Sequence, residues 1–190
     1  MNFIKRAMDL VLSFLAILVF ILPMAIVAIL IKLDSKGPVI FKQQRSGKNK
    51  ELFNIYKFRT MRTDTPNVST ENLGDPSLYI TKLGKFLRKS SLDELPQLFN
   101  ILVGHMSIVG PRPALYNQYD LIEMRDEVGA NNIPPGLTGY AQVKGRDFIS
   151  DQEKVGYDQY YVEHINLWLD VKIIWWTAKS VVRSEGVRVD

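Results

Sequence analysis

The distribution of apolar and polar residues divides the chain into one oily run and a longer mixed remainder. From Leu10 to Ile31 roughly 22 residues pass without a charge, about the length a helix needs to cross a bilayer. A secretory leader is a poor match: Lys5 and Arg6 form a basic start, but the run is too long and no small-x-small cleavage site follows. Pro23 removes an internal hydrogen bond and predicts a kink. The half from Leu10 to Leu22 would rise only about 20 Å, against an apolar thickness of about 30 Å, so a bent helix can enter and leave by one face. Lys5 and Arg6 before the run and Lys32 and Lys36 after it favour both ends on the cytoplasmic side. Kinked spans also exist, so re-entrant and spanning paths both stay open. Residues 1–36 form the expected membrane segment and 37–190 a second unit.

After Gly37-Pro38 the period shortens. Val39-Ile40-Phe41 and Leu52 to Phe58 predict two short strands around a polar turn at Arg45-Ser46-Gly47-Lys48-Asn49. Residues 63–76, rich in Thr, Asn, Pro and Gly, predict an exposed, mobile loop that orders with ligand. Tyr79 to Arg88 carries Leu83, Phe86 and Leu87 among Lys82, Lys85 and Arg88, an amphipathic helix packed on the core or lying on a membrane surface. Leu95, Leu98, Phe99 and Leu102 fall at i, i+3, i+4 and i+7, predicting a core helix to about Val103 that Gly104 stops. Gln152 to His164 predicts another helix. Leu167 to Val182 sets Trp168, Trp175 and Trp176 among Lys172, Lys179 and Arg183, which favours a headgroup layer; plain core packing would instead leave Asp170 on the exposed side.

Composition narrows the chemistry. In 190 residues, 46% hydrophobic content supports a real core, and one domain is expected. A net charge of +4 is too small to indicate nucleic acid but suits anionic lipid or a phosphorylated substrate. With no cysteine, disulfides, thiol nucleophiles and cysteine zinc sites are excluded, and His105 and His164 are too few for a multi-histidine metal centre.

Candidate chemistry centres on Arg88-Lys89-Ser90-Ser91-Leu92-Asp93-Glu94-Leu95-Pro96-Gln97. Ser91 to Glu94 matches a capping box, in which both acids merely serve a helix start. Pro96 opposes that register, because it would stand where an N–H is needed; a start at Asp93 removes the conflict and frees both carboxylates to face a site. Capping and chemistry weigh equally on the residues alone. As chemistry, one carboxylate can attack phosphorus to give an acyl phosphate while its neighbour helps hold Mg²⁺. Phosphate donors are on offer in Gly110-Pro111-Arg112-Pro113, a stiff turn fixing a guanidinium, and in the glycine-rich 134–147 loop ending in Lys144 and Arg146. Either could be an ordinary connection. In Tyr56-Lys57-Phe58-Arg59 strand alternation puts Lys57 and Arg59 on one face.

Taken together, the apolar N-terminus with Pro23, Lys57-Phe58-Arg59-Thr60-Met61, Ser91 to Asn100, Met106 to Pro113, and Pro135 through Arg146 resemble the small monotopic polyprenol-phosphate phosphoglycosyl transferases, the bacterial initiating sugar transferases. The resemblance covers nearly the whole chain. It implies transfer of a sugar 1-phosphate from a UDP-sugar to a membrane polyprenyl (undecaprenyl) phosphate, with release of UMP. It further implies Asp93 as nucleophile and Glu94 as its Mg²⁺-holding partner, with Asp93 also near the metal. Arg88 would meet lipid phosphate, Arg112 between Pro111 and Pro113 the nucleotide, and Lys57, Arg59 and Arg146 the donor's phosphates. The implied fold is a mostly helical α/β monotopic membrane protein with a re-entrant helix broken at Pro23, interfacial amphipathic helices and a small β element, its catalytic unit on the cytoplasmic face of the bacterial inner membrane. Leu22 where the family often has serine, Tyr140 for a common tryptophan and Asp147 for a frequent asparagine are departures that bear on bending, sugar preference and loop closure. A membrane-docked scaffold without turnover and a one-step transferase are the rival readings.

Overall fold

The oily run folds as one helix, α1 (Phe3–Asp34), with Pro23 inside it. The computed structural model describes residues 3–66, 75–145 and 149–183. Of the expected mobile loop, residues 67–74 lie outside the described residues, as do Arg146 and Asp147. Among the described residues α1 is the one helix long and apolar enough to cross a membrane.

The buried face of α1 has two parts. Lys5, Asp9, Ser13 and Ile17 recur every fourth residue and turn inward, and Met24, Val27 and Ile31 do so beyond the proline. Between them, residues 18–23 are exposed all round the helix. Its first turns are held by charge: Lys5 pairs with the fully buried Asp170 at 2.7 Å, and Asp9 accepts from Ser107 Oγ at 2.8 Å and from the Ile108 amide at 3.0 Å. Arg6 donates to the carbonyls of Ile101 and Leu102, at 2.7 and 2.9 Å, in the last turn of a helix, where carbonyls lack their intrahelical partners. Asp170 is therefore not on the exposed side that simple core packing would give it; Lys5 neutralises it and Tyr161 Oη donates to it at 2.7 Å.

β1 (Ile40–Ser46) and β2 (Leu52–Phe58) form the expected hairpin, antiparallel from Ile40 opposite Phe58 to Ser46 opposite Leu52. β1 is longer than its sequence signal and takes in Arg45 and Ser46, so the turn shifts to residues 47–51. Helix α2 (Lys82–Ser90) starts at Thr81, whose side chain caps the Gly84 amide. At Gly84 it touches the hairpin's exit so closely that a Cβ would collide with the Thr60 carbonyl. A 3-10 turn over Leu92–Glu94 leads into α3 (Gln97–Val103), and Gly104 at φ 94° ends it as expected.

The remainder holds the elements that the hydrophobic pattern did not announce. β3 (Ser107–Val109) pairs in parallel with β4 (Gly136–Thr138), with α4 (Tyr119–Glu127) between them and α5 (Tyr140–Lys144) after. Helices α6 (Asp151–Glu163), opened by a full capping box at Ser150 and Glu153, and α7 (Leu167–Arg183) close the fold. The main core joins α1, the hairpin, α2 and α3. The result is mostly helical, with two small two-stranded sheets.

Candidate active site

Asp93 and Glu94 occupy the 3-10 turn between α2 and α3, and neither serves as a helix cap. Ser91 makes no side-chain cap bond and lies in the left-handed region at φ 57°, φ/ψ space that favours glycine. Its amide closes α2 by bonding the Arg88 carbonyl at 3.1 Å. The capping reading of the acids, on which the docked-scaffold alternative leaned, thus loses its structural basis. Pro96 causes no conflict: it precedes α3 in helical geometry where no N–H is required.

The position of the acid turn is set from α3. Asn100, fully buried, donates to the Asn54 carbonyl at 2.8 Å and accepts from the Tyr56 amide at 3.0 Å, docking α3 on the free edge of β2. On that strand Phe53, Ile55 and Lys57 alternate toward α3, so the inward face ends in a cation. Lys57 Nζ reaches Glu94 Oε1 at 2.7 Å. From the other side Arg112 Nη2 reaches the same oxygen at 3.0 Å. Burial alone would raise Glu94, but the Lys57 ammonium and the Arg112 guanidinium outweigh it and hold the carboxyl well below its usual range.

Asp93 is 8% exposed and accepts no hydrogen bond among the described residues. Burial pushes its carboxyl up to about 6; the Glu94 charge adds to this, while Lys57, Arg88 and Arg112 pull it back. The two neighbours therefore differ in kind: Glu94 is a fixed anion, and Asp93 is a buried carboxyl poised within the neutral range. Arg88, in the last turn of α2, belongs to the site through this pull on Asp93.

The arginine turn is built by crossing chains. Pro111 O accepts from the Gly136 amide at 2.8 Å, Gly110 N donates to Thr138 O at 2.9 Å, and Ala114 O accepts from the Ser46 amide at 2.9 Å. The backbones approach so closely that a Cβ on Gly136 would overlap Gly110, which explains the glycine there. Arg45 Nη1 donates to Pro113 O at 3.1 Å, and burial, with Arg112 beside it, lowers this guanidinium to about 10 against the pull of Glu94. Pro111 and Pro113 are buried while Arg112 is exposed, so the turn presents one side chain.

Arg59 does not join this group. The strand ends at Phe58, alternation no longer governs the next residue, and the Arg59 guanidinium bonds the carbonyls of Lys36 and Ser35 at 2.9 and 2.7 Å beyond the end of α1. Arg146 lies outside the described residues. Asn100 and Asp9 help to position the site without being singled out by the sequence reading; the available signal is a polar residue within or at the edge of an apolar helix. As for a metal, no group of three or more acidic, histidine or cysteine side chains able to hold one occurs among the described residues. Two adjacent carboxylates remain a fitting partial set for Mg²⁺, which takes one or two protein carboxylates and fills its shell with phosphate oxygens and water. Both side-chain bonds that Glu94 accepts among the described residues fall on Oε1.

Residues 1–184 match the family model described as bacterial sugar transferase. The chain is 39% identical over 98% of its length to a UDP-N-acetylgalactosamine-undecaprenyl-phosphate N-acetylgalactosaminephosphotransferase of Aeromonas hydrophila, covering 45% of that protein. It is 41% identical over 92% of its length to the UDP-glucose:undecaprenyl-phosphate glucose-1-phosphate transferase of Escherichia coli K12, covering 39% of it. To an exopolysaccharide production protein of Rhizobium leguminosarum bv. phaseoli it is 40% identical, over 96% of this chain and 98% of the other. The chain thus spans less than half the length of the first two proteins and nearly all of the third.

Proposed function

This chain belongs to the bacterial sugar transferase family, and from that premise we propose that it moves a sugar 1-phosphate from a UDP-sugar to undecaprenyl phosphate, through a covalent intermediate on Asp93. The observation that carries the proposal is the contrast within the acid pair: one carboxyl tied down by two cations, the other buried beside them and without a hydrogen bond among the described residues. The names of the Aeromonas and Escherichia relatives supply the substrate classes.

In the first step an ionised Asp93 oxygen attacks the phosphorus that bears the sugar. The bond from that phosphorus to the UMP phosphate breaks, UMP leaves, and an acyl phosphate forms. Arg112 and Lys57, already at the site, can turn donors from Glu94 to phosphate oxygens: Lys57 has three and Arg112 a planar fork. In the second step an oxygen of the lipid phosphate attacks the same phosphorus, the acyl bond breaks, and the Asp93 carboxylate is restored. Arg88, beside Asp93, is assigned to the incoming lipid phosphate. Neither displacement needs a proton, so Asp93 has only to be ionised. Mg²⁺, held by Glu94 with Asp93 adjacent, would supply neutralisation of charge on the transferring phosphoryl group.

The membrane reading has its own support. Both ends of α1 are bonded to the same folded unit: Lys5, Arg6 and Asp9 at the start, and Lys36 and Ser35, just past its end, through Arg59. A straight span would set those ends about 30 Å apart across the bilayer. With residues 18–23 exposed all round at Pro23, a re-entrant helix entering from the cytoplasmic face is the topology we assign. A position of α2 and α7 at headgroup depth is supported by exposed Trp168 and Trp175 on α7, with Lys172 over the Trp168 ring, and by exposed Phe86 among the lysines of α2.

Exposure of the protein to a panel of phosphorus-labelled UDP-sugars without lipid tests the chemistry. The native chain retains label and Asp93→Asn does not; label on the variant would remove Asp93 from the role. Since the chain has no cysteine, thiols introduced at Ile4 and Asp34 test the topology. Both should resist an impermeant reagent outside intact cells and react after permeabilisation; opposite reactivity would mean a span.

A further inference from the structure

A buried ion pair behind the arginine turn has no part in the chemistry above. Arg125, on α4, is 4% exposed, and Asp158, on α6, is 1% exposed. Arg125 Nε and Nη2 both bond Asp158 Oδ2, at 2.8 and 2.7 Å. The third nitrogen, Nη1, points away from the carboxylate and donates at 2.8 Å to the backbone carbonyl of Arg112. With Gly136, Arg45 and Ser46 on Pro111, Pro113 and Ala114, all four consecutive carbonyls of the turn are bonded.

Fold stability does not account for this pair, since a buried ion pair commonly does no better than apolar side chains of the same volume. A guanidinium adds what an apolar residue cannot: one end clamped by a carboxylate and the other aimed at a chosen carbonyl. That carbonyl belongs to Arg112, whose side chain meets Glu94. A turn fixed before the donor arrives loses less order when Arg112 grips phosphate.

We infer that Arg125, clamped by Asp158, is a positioning residue that holds the Arg112 backbone so that the Arg112 side chain is preset for the donor nucleotide. This rests on the assignment of Arg112 to the donor. A lysine at position 125 can serve the carboxylate or the carbonyl but not both in the same geometry, so Arg125→Lys loosens the turn while keeping the charge.

The test uses the full chain in lipid nanodiscs and UMP as probe, titrated calorimetrically. Arg112→Ala and Arg125→Lys should each weaken UMP about tenfold, and the double variant should be no weaker than Arg112→Ala alone, because the clamp acts only through that side chain. Val27→Ala, a cavity on α1 in the main core and outside the cluster that holds Ala114, controls for loosened packing and should leave UMP affinity unchanged. Asp158→Asn, which keeps an oxygen for Arg125, should weaken UMP in the same direction by less, and it carries the test if Arg125→Lys does not fold. If Arg112→Ala weakens UMP while the clamp variants do not, or if the two effects multiply, the inference fails alone. If Arg112→Ala leaves UMP affinity intact, the donor assignment fails and the inference falls with it.

Discussion

Two turns meet at Glu94, and they are built in opposite ways. The arginine turn has each carbonyl from Pro111 to Ala114 bonded by a different part of the chain. In the acid turn Glu94 is tied by its two cations, but the backbone and Asp93 are held by little: i to i+3 bonds of 3.2 and 3.3 Å, a left-handed serine, an Asp93 carboxyl without a hydrogen bond among the described residues, and a buried Gln97 Nε2 that also lacks one. A group that only grips can be fixed beforehand, and fixing it reduces the ordering required on binding. A group that exchanges covalent partners gains from bonds that appear only in the transition state, so leaving it unbonded at rest favours rate. On the proposed chemistry, the difference separates holding from reacting.

The contrast breaks most severely if its reacting member is removed: Asp93→Asn should lower turnover by about 10⁴-fold or more, measured as lipid-linked sugar formed. Loss of the shared carboxylate comes next. Glu94→Gln frees Lys57 and Arg112 from their anion and should cost about 10²-fold in kcat; unchanged turnover at limiting Mg²⁺ would argue that the bonded oxygen is only structural. Acidity sharpens the picture. Because Asp93 sits near 6 and attacks only when ionised, the labelling rate should be full above that pH and fall about tenfold per unit below it, well above the usual carboxylate limb. In Glu94→Gln the limb should move to lower pH, since a neighbouring negative charge has been removed. The smallest effect belongs to the strained serine: Ser91→Gly should stabilise the fold by about 1 kcal/mol, seen as a raised Tm, with turnover kept.

Much of this was legible along the chain. The long apolar run gave α1, alternation gave β2, and the i, i+3, i+4, i+7 spacing with its terminal glycine gave α3, because each is written within one or two turns of chain. β3 and β4 were invisible: three residues each, paired in parallel across intervening elements, with no local period to read. The burial of Asp170 is not legible for a related reason, since the lysine that makes it tolerable stands 165 residues away. Alternation also placed Arg59 beside Lys57, but the strand stopped one residue too soon and the side chain went to the end of α1. The acid pair was found yet not decided, because Ser91 to Glu94 spells a cap as well as a site. The αL serine, without a side-chain bond, removes the cap, and the two cations on Glu94 support the site.

The polar beginning of α1 sets a limit on how the protein can be handled. Scission after residue 36 would strip Lys5 from Asp170, Arg6 from two carbonyls and Asp9 from the strand that feeds the arginine turn, leaving a sealed-in anion and several orphaned donors and acceptors. The long apolar helix is also an inner wall of the globule. A water-soluble form is better sought by resurfacing the outward-facing residues around Leu18 to Pro23 with polar side chains, leaving the inward column of α1 untouched.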